Sequence, residues 1–355
     1  MKQLLKSILI FTLLSVVVIG AFFVGYVIKN CGTPVPNING DNNVVSRPYD
    51  LYSIENLSGL NILKGELNIT ELLVDEDKFV SYLFEYIFDP KLSNNSGNKK
   101  ITGQINFPKS KEDNKIARYP LIFMLRGYVD QEIYETGDGT RNTSKYFAEN
   151  GFITVAPDFL GYAGSDTESD NIFEARFQTY TTSLSLLRTI TSIEKYTYDK
   201  ESLAYWDGDN IFIWGHSNGG SIALTLLETT GISYPTSLWA PVSKPFPYSI
   251  LYYTDESEDR GKLIRRELAK FEEIYDVEKY SFYNYLDLIK SPIQIHQGLN
   301  DDAVPIDWSD NLVDELEKFD LEITYHTYPG TDHNMQPSYN TAVSRDLDFF
   351  NSFIN

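Results

Sequence analysis

Short apolar runs alternate with amphipathic stretches along most of the chain. Two runs with apolar–polar alternation, residues 78–88 and 99–108, are separated by DPKLSNNSGN, whose turn-forming residues predict an antiparallel hairpin. Later apolar runs are typical of strands buried on both faces; they cover residues 119–127, 152–158, 211–214, 236–242, 292–298 and 321–329. Helical patterns lie between or after them, at residues 143–150, 173–196, 221–230, 309–319 and 341–354. The alternation predicts an α/β fold with a mostly parallel central sheet and helices on both faces.

The N-terminal segment has a different pattern, because residues 8–28 are mostly apolar and carry no charge. As a helix they would be about 31 Å long, close to the roughly 30 Å hydrocarbon core of a bilayer. Lys2 and Lys6 precede this run, which predicts a transmembrane helix with a cytoplasmic N-terminus and the rest of the chain outside the cell membrane. A cleaved signal peptide and, through Cys31, a lipoprotein are the alternatives. Protease treatment of intact cells would release the outer part if this orientation is correct.

Composition adds the domain organisation and excludes some partners. Residues 30–50 are polar and rich in Asn, Pro and Gly, so we predict an anchor over 1–29, a linker over 30–50 and a folded domain over 51–355. The net charge of −20 argues against nucleic acid or anionic lipid as the main partner. A single cysteine excludes an internal disulfide and a Cys-based zinc site, and we expect no metal or cofactor.

The sequence GHSNGG, residues 215–220, follows an apolar run and precedes a helical pattern. A Gly-x-Ser-x-Gly motif in this context is typical of a tight strand-to-helix turn that presents a nucleophilic serine. Gly215 and Gly219 are expected to be small because strand and helix approach closely there. Ser217 is therefore the candidate nucleophile, placed at the positive end of the helix dipole.

The candidate base is the histidine in a loop. Of the four histidines, His216 adjoins the serine and should point away from it, and His296 and His326 lie within predicted strands, where a packed histidine is expected. His333 lies in PGTDHNMQP, between the last predicted strand and the last predicted helix. A loop at that position can bring an imidazole over the carboxyl ends of the strands, so we predict His333 as the base.

A base of this kind needs a carboxylate that orients the imidazole. Asp301 and Asp302 both lie in HQGLNDDAVP, after the strand that precedes the one leading to His333. Asp301 is preferred over Asp302. The resulting order, Ser217, Asp301, His333, is the one expected for this type of strand-to-helix turn.

An oxyanion would need two N–H donors beside the nucleophile. The backbone N–H of Asn218, directly after the serine, is the first candidate. The second should come from LRGYVD, residues 125–130, where Gly127 permits close approach. The backbone N–H of Tyr128 is the preferred donor, its hydroxyl is a second possibility, and the alternative is that Tyr128 only lines the pocket.

These motifs together resemble the prolyl-oligopeptidase and dienelactone-hydrolase-like group of the α/β-hydrolases, over roughly residues 78–355. GHSNGG is similar to the nucleophile turn of that group, PGTDHNM to its histidine loop, VAPDFLGYAGSD to the segment after its second central strand, and GLNDDAVP to its acid turn, in which the first Asp is catalytic. The resemblance implies a Ser-His-Asp hydrolase with an acyl-enzyme intermediate and supports Asp301. The chain departs from the group at Arg126, where many relatives carry His, and the β-propeller of true prolyl oligopeptidases is not expected here.

Residues 243–290 interrupt the strand–helix alternation with charged helical and aromatic segments, and their position predicts a helical lid. Aromatic residues near the expected mouth line a substrate pocket or belong to the core; they are Tyr128, Tyr162, Trp239 and Phe246. Either a peptidase or an esterase would use the same acyl-enzyme, and the resemblance favours a peptidase. A non-catalytic binding module on the same fold is the remaining hypothesis. The expected partner is a peptide or a small ester.

Overall fold

A nine-stranded sheet with helices packed against it forms the centre of the computed structural model, which describes residues 47–92, 97–109, 117–190, 204–254 and 259–354. The strands are β1 Glu66–Asp75, β2 Phe79–Phe88, β3 Lys99–Pro108, β4 Ala117–Leu125, β5 Ile153–Pro157, β6 Ala204–His216, β7 Thr236–Trp239, β8 Ile293–Gly298 and β9 Ile323–Tyr328. Their order in the sheet is β1-β2-β3-β5-β4-β6-β7-β8-β9. Strands β1 to β3 and the β3–β5 pair are antiparallel, and the pairs from β5 through β9 are parallel.

The predicted hairpin is confirmed, since β2 and β3 pair along their whole length from Phe79 opposite Pro108 to Phe88 opposite Lys99. Strand β1 was not predicted. It is the edge strand of the described sheet, and most of its side chains are exposed, with Leu67 buried. Its two register irregularities break the regular alternation from which a half-buried strand is recognised.

Eight α-helices lie in the described part of the chain. They are α1 Ile54–Gly59, α2 Arg141–Glu149, α3 Ile172–Ile190, α4 Asn218–Thr230, α5 Tyr248–Thr254, α6 Lys262–Glu272, α7 Ile306–Leu316 and α8 Tyr339–Asn351. The helices predicted between the parallel strands are confirmed. Gly151, expected to end α2, has a φ of 91°, a conformation that disfavours side-chain-bearing residues. The last part of the predicted 173–196 helix lies outside the described residues.

The core has two layers, one on each face of the sheet. Along β4, Leu121, Phe123 and Leu125 belong to one apolar cluster, and Ile122 and Met124 belong to the other. Because side chains of a strand alternate between its faces, this division marks a strand covered on both sides. That burial accounts for the continuous apolar runs from which the parallel strands were predicted.

The 243–290 segment is largely helical, as expected. It contains α5, α6 and three 3-10 turns, at Val277–Tyr280, Phe282–Asn284 and Leu286–Leu288. Rings of this segment pack on Phe177 of α3, with centroid distances of 5.8 Å from Phe246, 6.1 Å from Phe271 and 5.1 Å from Tyr280. An aromatic cluster thus attaches the insertion to α3.

The folded part begins before residue 51. Tyr49, inside the predicted linker, has its ring 6.0 Å from that of Phe271, and its backbone N–H donates to the hydroxyl of Tyr275 at 3.1 Å. The predicted transmembrane helix over residues 8–28 lies outside the described residues. Within the described ranges, no helix combines the length and apolar character needed to cross a bilayer.

Glu228 is an uncompensated carboxyl group in the interior. It lies on α4, is 2% exposed, and neither of its carboxyl oxygens has a hydrogen-bond partner among the described residues. Burial, and secondarily the charge of Asp287, raise the pKa of Glu228 well above its usual value. The protonated form is therefore favoured in the native state, because an isolated buried charge is strongly disfavoured.

Replacing Glu228 by Gln should stabilise the protein increasingly as the pH rises. Above about pH 4.3 the unfolded chain releases a proton that the native carboxyl retains, so the free energy of unfolding of the wild type falls. The advantage of Glu228→Gln should therefore widen by about 1.4 kcal/mol per pH unit until the native carboxyl also ionises. Urea unfolding at several pH values measures this difference in the free energy of unfolding. Glu272→Gln, a change at an exposed residue, is the control. If the difference in the free energy of unfolding between Glu228→Gln and the wild type does not change with pH, the raised pKa of Glu228 is contradicted.

Candidate active site

Ser217 is the single residue that connects strand β6 to helix α4. β6 ends at His216, α4 begins at Asn218, and Ser217 has φ 55° and ψ −120°. A positive φ is unfavourable for a residue with a side chain and persists only where the surroundings enforce it. The backbone N–H of Ser217 donates to Trp239 at 2.9 Å, and its carbonyl accepts from Val242 at 2.9 Å. Strand β7 and the residues after it thus hold the turn in place.

Glycine is required on both sides of this turn. A Cβ atom added to Gly215 would lie 2.8 Å from the carbonyl oxygen of Gly219, closer than real Cβ atoms approach. A Cβ atom added to Gly219 would overlap the carbonyl oxygen of Leu125 at the end of β4. The backbones of strand β6, helix α4 and strand β4 are therefore in direct contact beside Ser217.

Gly127 brings the loop after β4 against the serine. A Cβ atom added to Gly127 would lie 2.9 Å from Cβ and 3.4 Å from Oγ of Ser217. The next backbone N–H, that of Tyr128, has no acceptor within the described part of the chain, and the same holds for the N–H of Asn218. Two unpaired donors thus flank the serine. The side chain of Tyr128 is 58% exposed.

A buried arginine supports this loop. The two terminal nitrogens of Arg126 donate to the carbonyls of Gly127, at 2.9 Å, and Asp158, at 2.7 Å. Its guanidinium lies 3.9 Å from the ring centroid of Tyr162 and 4.6 Å from that of Tyr134. Tyr134 in turn donates to the Asp158 carboxylate at 2.7 Å. Arg126, the residue that departs from the pattern of many relatives, therefore has a structural role in holding the loop.

His333 and Asp301 form a direct contact. Nδ1 of His333 lies 2.8 Å from Oδ2 of Asp301, and the carboxylate side chain is 1% exposed. A carboxylate only accepts, so Nδ1 carries the proton and the lone pair of Nε2 points elsewhere. Within the described residues, neither Nε2 of His333 nor the hydroxyl of Ser217 has a hydrogen-bond partner.

The acid turn holds Asp301 in its ionised form. The backbone N–H groups of Ala303 and Val304 donate to Oδ1 at 2.9 and 2.8 Å, and Gln297 donates to Oδ2 at 3.1 Å. Burial by itself would raise the pKa of Asp301, but the hydrogen bond and charge of His333, together with the two backbone donors, lower it below its usual value. Asp302 is exposed and makes no such contact.

His216 joins the serine turn to the histidine loop. Its Nε2 donates to the carbonyl of His333 at 3.0 Å, and the two imidazole rings are 4.7 Å apart. Burial, and then the charge of His333, lower the pKa of His216 to about 4, so the ring is neutral at pH 7. His296 is fully buried, 2.6 Å from the hydroxyl of Tyr328 and 2.9 Å from Asp346, as expected of a packed histidine.

Three of the four aromatic residues considered for the pocket are buried. Trp239 is 2% exposed and donates to Asp346 at 2.8 Å, Phe246 is 3% exposed within the aromatic cluster, and Tyr162 packs on Arg126. The core interpretation therefore applies to these three. Tyr128 is the member of the set that faces solvent.

Two side chains beside the site were not identified from the sequence. Arg176 of α3 donates through Nη1 to Oδ1 of Asn218 at 3.3 Å. Tyr253, at the end of α5, donates to the carbonyl of Ala303 in the acid turn at 3.2 Å. Arg176 lies in a regular helical pattern and Tyr253 in the insertion, so neither had a motif that could have marked it.

Comparison with known proteins gives a family match and several structures of similar fold. A model of the prolyl oligopeptidase family matches residues 139–355, whereas no curated protein matches the sequence. An acetyl xylan esterase from a Paenibacillus species has a TM-score of 0.60 and 17% identity, with 90% of this chain and 97% of that chain covered. Acetyl xylan esterase 1 from a Thermoanaerobacterium species has a TM-score of 0.55 and 13% identity, with 86% of this chain and 94% of that chain covered.

A peptidase is also among the similar structures. The puromycin-hydrolyzing peptidase of Mycobacterium tuberculosis has a TM-score of 0.51 and 16% identity, with 82% of this chain but 39% of that chain covered. At such identities the likeness shows the fold, which is an α/β-hydrolase fold. The family match spans more than half of the sequence, and the chain therefore belongs to the prolyl oligopeptidase family of serine hydrolases.

Proposed function

We propose that Ser217, His333 and Asp301 form the catalytic triad of this hydrolase, with Ser217 as the nucleophile. The observation that carries the proposal is the 2.8 Å contact between Nδ1 of His333 and the buried Asp301 carboxylate, in the loop that adjoins the strained serine turn. This contact selects the tautomer in which Nε2 can accept a proton. The neighbouring donor His216 holds the backbone of the histidine loop.

The reaction follows from these roles. Nε2 of His333 takes the proton of the Ser217 hydroxyl as its oxygen attacks the substrate carbonyl, and Asp301 stabilises the imidazolium that forms. The same proton then passes to the leaving group, which departs as the acyl-enzyme forms. Water then attacks the acyl-enzyme, with His333 again acting as the base, and the carboxylic acid is released. The serine–histidine hydrogen bond is expected to form once substrate is bound, as is common when sites without ligand have loose catalytic contacts.

The oxyanion is proposed to be held by the backbone N–H groups of Asn218 and Tyr128. Both are unpaired among the described residues, and Gly127 brings the second donor against the serine. Fixed donors of this kind stabilise the charge that develops in the transition state. The Tyr128 hydroxyl is a weaker candidate, because its side chain extends to solvent.

A peptide is the proposed substrate, and a small ester is the second candidate. Membership of the prolyl oligopeptidase family supports amide hydrolysis. An ester substrate is supported by the two acetyl xylan esterases, because the structural match covers 97% and 94% of their chains. The match covers 39% of the peptidase from Mycobacterium tuberculosis. We further propose that the 243–290 segment acts as the lid, since Tyr253 reaches the acid turn from it.

A matched pair of substrates tests the choice. A 4-nitroanilide and a 4-nitrophenyl ester with the same acyl peptide should both be hydrolysed, and both rates should disappear in Ser217→Ala. Hydrolysis of the ester without measurable hydrolysis of any anilide in a peptide library would assign an esterase. Failure of a fluorophosphonate probe to label Ser217 would contradict the triad and favour the binding module.

A further inference from the structure

Arg176 places a positive charge next to the nucleophile turn. It lies in the first half of α3. Among the described residues, its one hydrogen bond is long, at 3.3 Å, and is donated to the side chain of Asn218, the residue after Ser217. Its Nε is buried and has no hydrogen-bond partner within the described ranges. A guanidinium has five N–H donors, so most of the donors of Arg176 have no partner among the described residues.

No carboxylate of the described residues neutralises Arg176. Its neighbour on the helix, Glu174, instead accepts from Tyr52 at 3.2 Å and from Ser169 at 2.7 Å and lies 3.6 Å from Lys91. The chain has 50 acidic and 30 basic residues, so an arginine without a carboxylate partner is not explained by a shortage of acids. A cation that is partly withdrawn from water is stabilised by a nearby counter-charge.

Arg126, which is buried near the site, has the hydrogen-bond and ring contacts that Arg176 lacks among the described residues. It also leaves Nε unpaired, but both of its terminal nitrogens donate to carbonyls, and the rings of Tyr134, Phe159 and Tyr162 surround its guanidinium. Such contacts account for a structural arginine. Arg176 has no comparable set of contacts in the described structure.

The charges of Arg176 and of Asp301 in the acid turn both act on Tyr253. Burial and then the charge of Asp301 raise the pKa of Tyr253, while the charge of Arg176 acts on it in the opposite direction. Tyr253 is therefore within electrostatic range of both groups, and its hydroxyl is tied to Ala303. Arg176 thus contacts the residue after Ser217 and lies within electrostatic range of Tyr253, which contacts the acid turn.

From this placement we infer that Arg176 binds a carboxylate of the substrate, so that the enzyme prefers esters or amides with a free carboxylate near the scissile bond. The inference rests on the proposed function, since it assumes that acyl transfer takes place at Ser217. A carboxylate would supply the missing counter-charge and fits the planar fork of a guanidinium with two parallel hydrogen bonds. A neutral carbonyl would leave the charge of Arg176 uncompensated.

Two pairs of substrates test the preference and the side of the bond. In the first pair, the 4-nitrophenyl ester of glutaric acid, with its free carboxylate on the acyl group, is compared with the same ester carrying a terminal carboxamide. In the second pair, 4-acetoxybenzoate, with its carboxylate on the leaving group, is compared with 4-acetoxybenzamide. The measurement is the ratio of kcat/KM for the anionic and the neutral member of each pair.

We expect one of the two ratios to exceed unity in the wild type and to fall roughly 10- to 100-fold in Arg176→Gln, the loss typical of a charged hydrogen bond. Arg176→Lys should recover part of it, because the charge returns without the fork. Arg188→Gln, an exposed change on the same helix, should leave both ratios unchanged. The net charge of −20 repels anions, so a ratio above unity calls for a local cation.

The inference would be overturned by ratios that are the same in the wild type and Arg176→Gln, or by an equal loss for anionic and neutral substrates. The second outcome would indicate binding of a neutral carbonyl or a purely structural arginine. Fluorophosphonate labelling of wild-type Ser217 separates these results from a failure of the proposed function. If Ser217 is labelled but the kcat/KM ratios are unchanged in Arg176→Gln, the proposed triad stands and only the carboxylate-binding role of Arg176 is rejected.

Discussion

Ser217→Ala should lower turnover by roughly 10⁴- to 10⁶-fold, about 5–8 kcal/mol of transition-state stabilisation, with little change in melting temperature. Alanine removes the one atom able to form the acyl-enzyme, whereas the turn keeps its backbone hydrogen bonds to Trp239 and Val242. The unfavourable φ of 55° is equally unfavourable for serine and alanine, so the strain is unchanged. Steady-state kinetics and thermal unfolding on the same preparation measure both effects.

A buried serine outside the proposed triad provides the control. Ser249 of α5 is 2% exposed, and its hydroxyl has no hydrogen-bond partner among the described residues, so Ser249→Ala should preserve activity. His333→Ala should lose about as much as Ser217→Ala, and the double variant hardly more, because triad residues act as a unit. If Ser217→Ala keeps more than about a tenth of wild-type turnover, Ser217 is not the nucleophile.

Asp301→Asn should lower kcat on the order of 10⁴-fold while leaving the fold intact, the size of effect known for the corresponding change in another Ser-His-Asp enzyme. The carboxylate that accepts the Nδ1 proton of His333 is replaced by an amide, whose NH₂ group can donate to Nδ1 and select the wrong tautomer. Nε2 would then carry the proton and could not take one from Ser217. Single-turnover kinetics with an activated ester would locate the loss in the acylation step.

Asp302→Asn makes the same chemical change one residue along the chain. Asp302 is exposed and does not contact His333, so this variant should stay within a few-fold of the wild type. Equal losses in the two variants would show that the acid turn as a whole, rather than one carboxylate, determines activity. A larger loss in Asp302→Asn would transfer the orienting role to Asp302.

Local sequence was sufficient for the serine turn and for most of the fold. An apolar strand, a Gly-x-Ser-x-Gly motif and a helical pattern follow one another directly, and the parallel strands are continuous apolar runs because both of their faces are covered. The pairing of Asp301 with His333 was predictable as well. Their loops follow the neighbouring strands β8 and β9, whose carboxyl ends meet at one edge of the sheet.

Other features are decided by contacts between residues distant in the sequence. Strand β1 has mostly exposed side chains and is defined by its pairing with β2. Arg176 approaches Asn218, 42 positions away, through the packing of α3 beside the nucleophile helix α4. A regular helical pattern identifies a helix but not the neighbour that each side chain meets, because that depends on how the helices pack. Sequence by itself therefore determined the candidate chemistry at Ser217. Only the tertiary structure brought beside it Arg176, a cation that has no carboxylate partner in the described part of the chain.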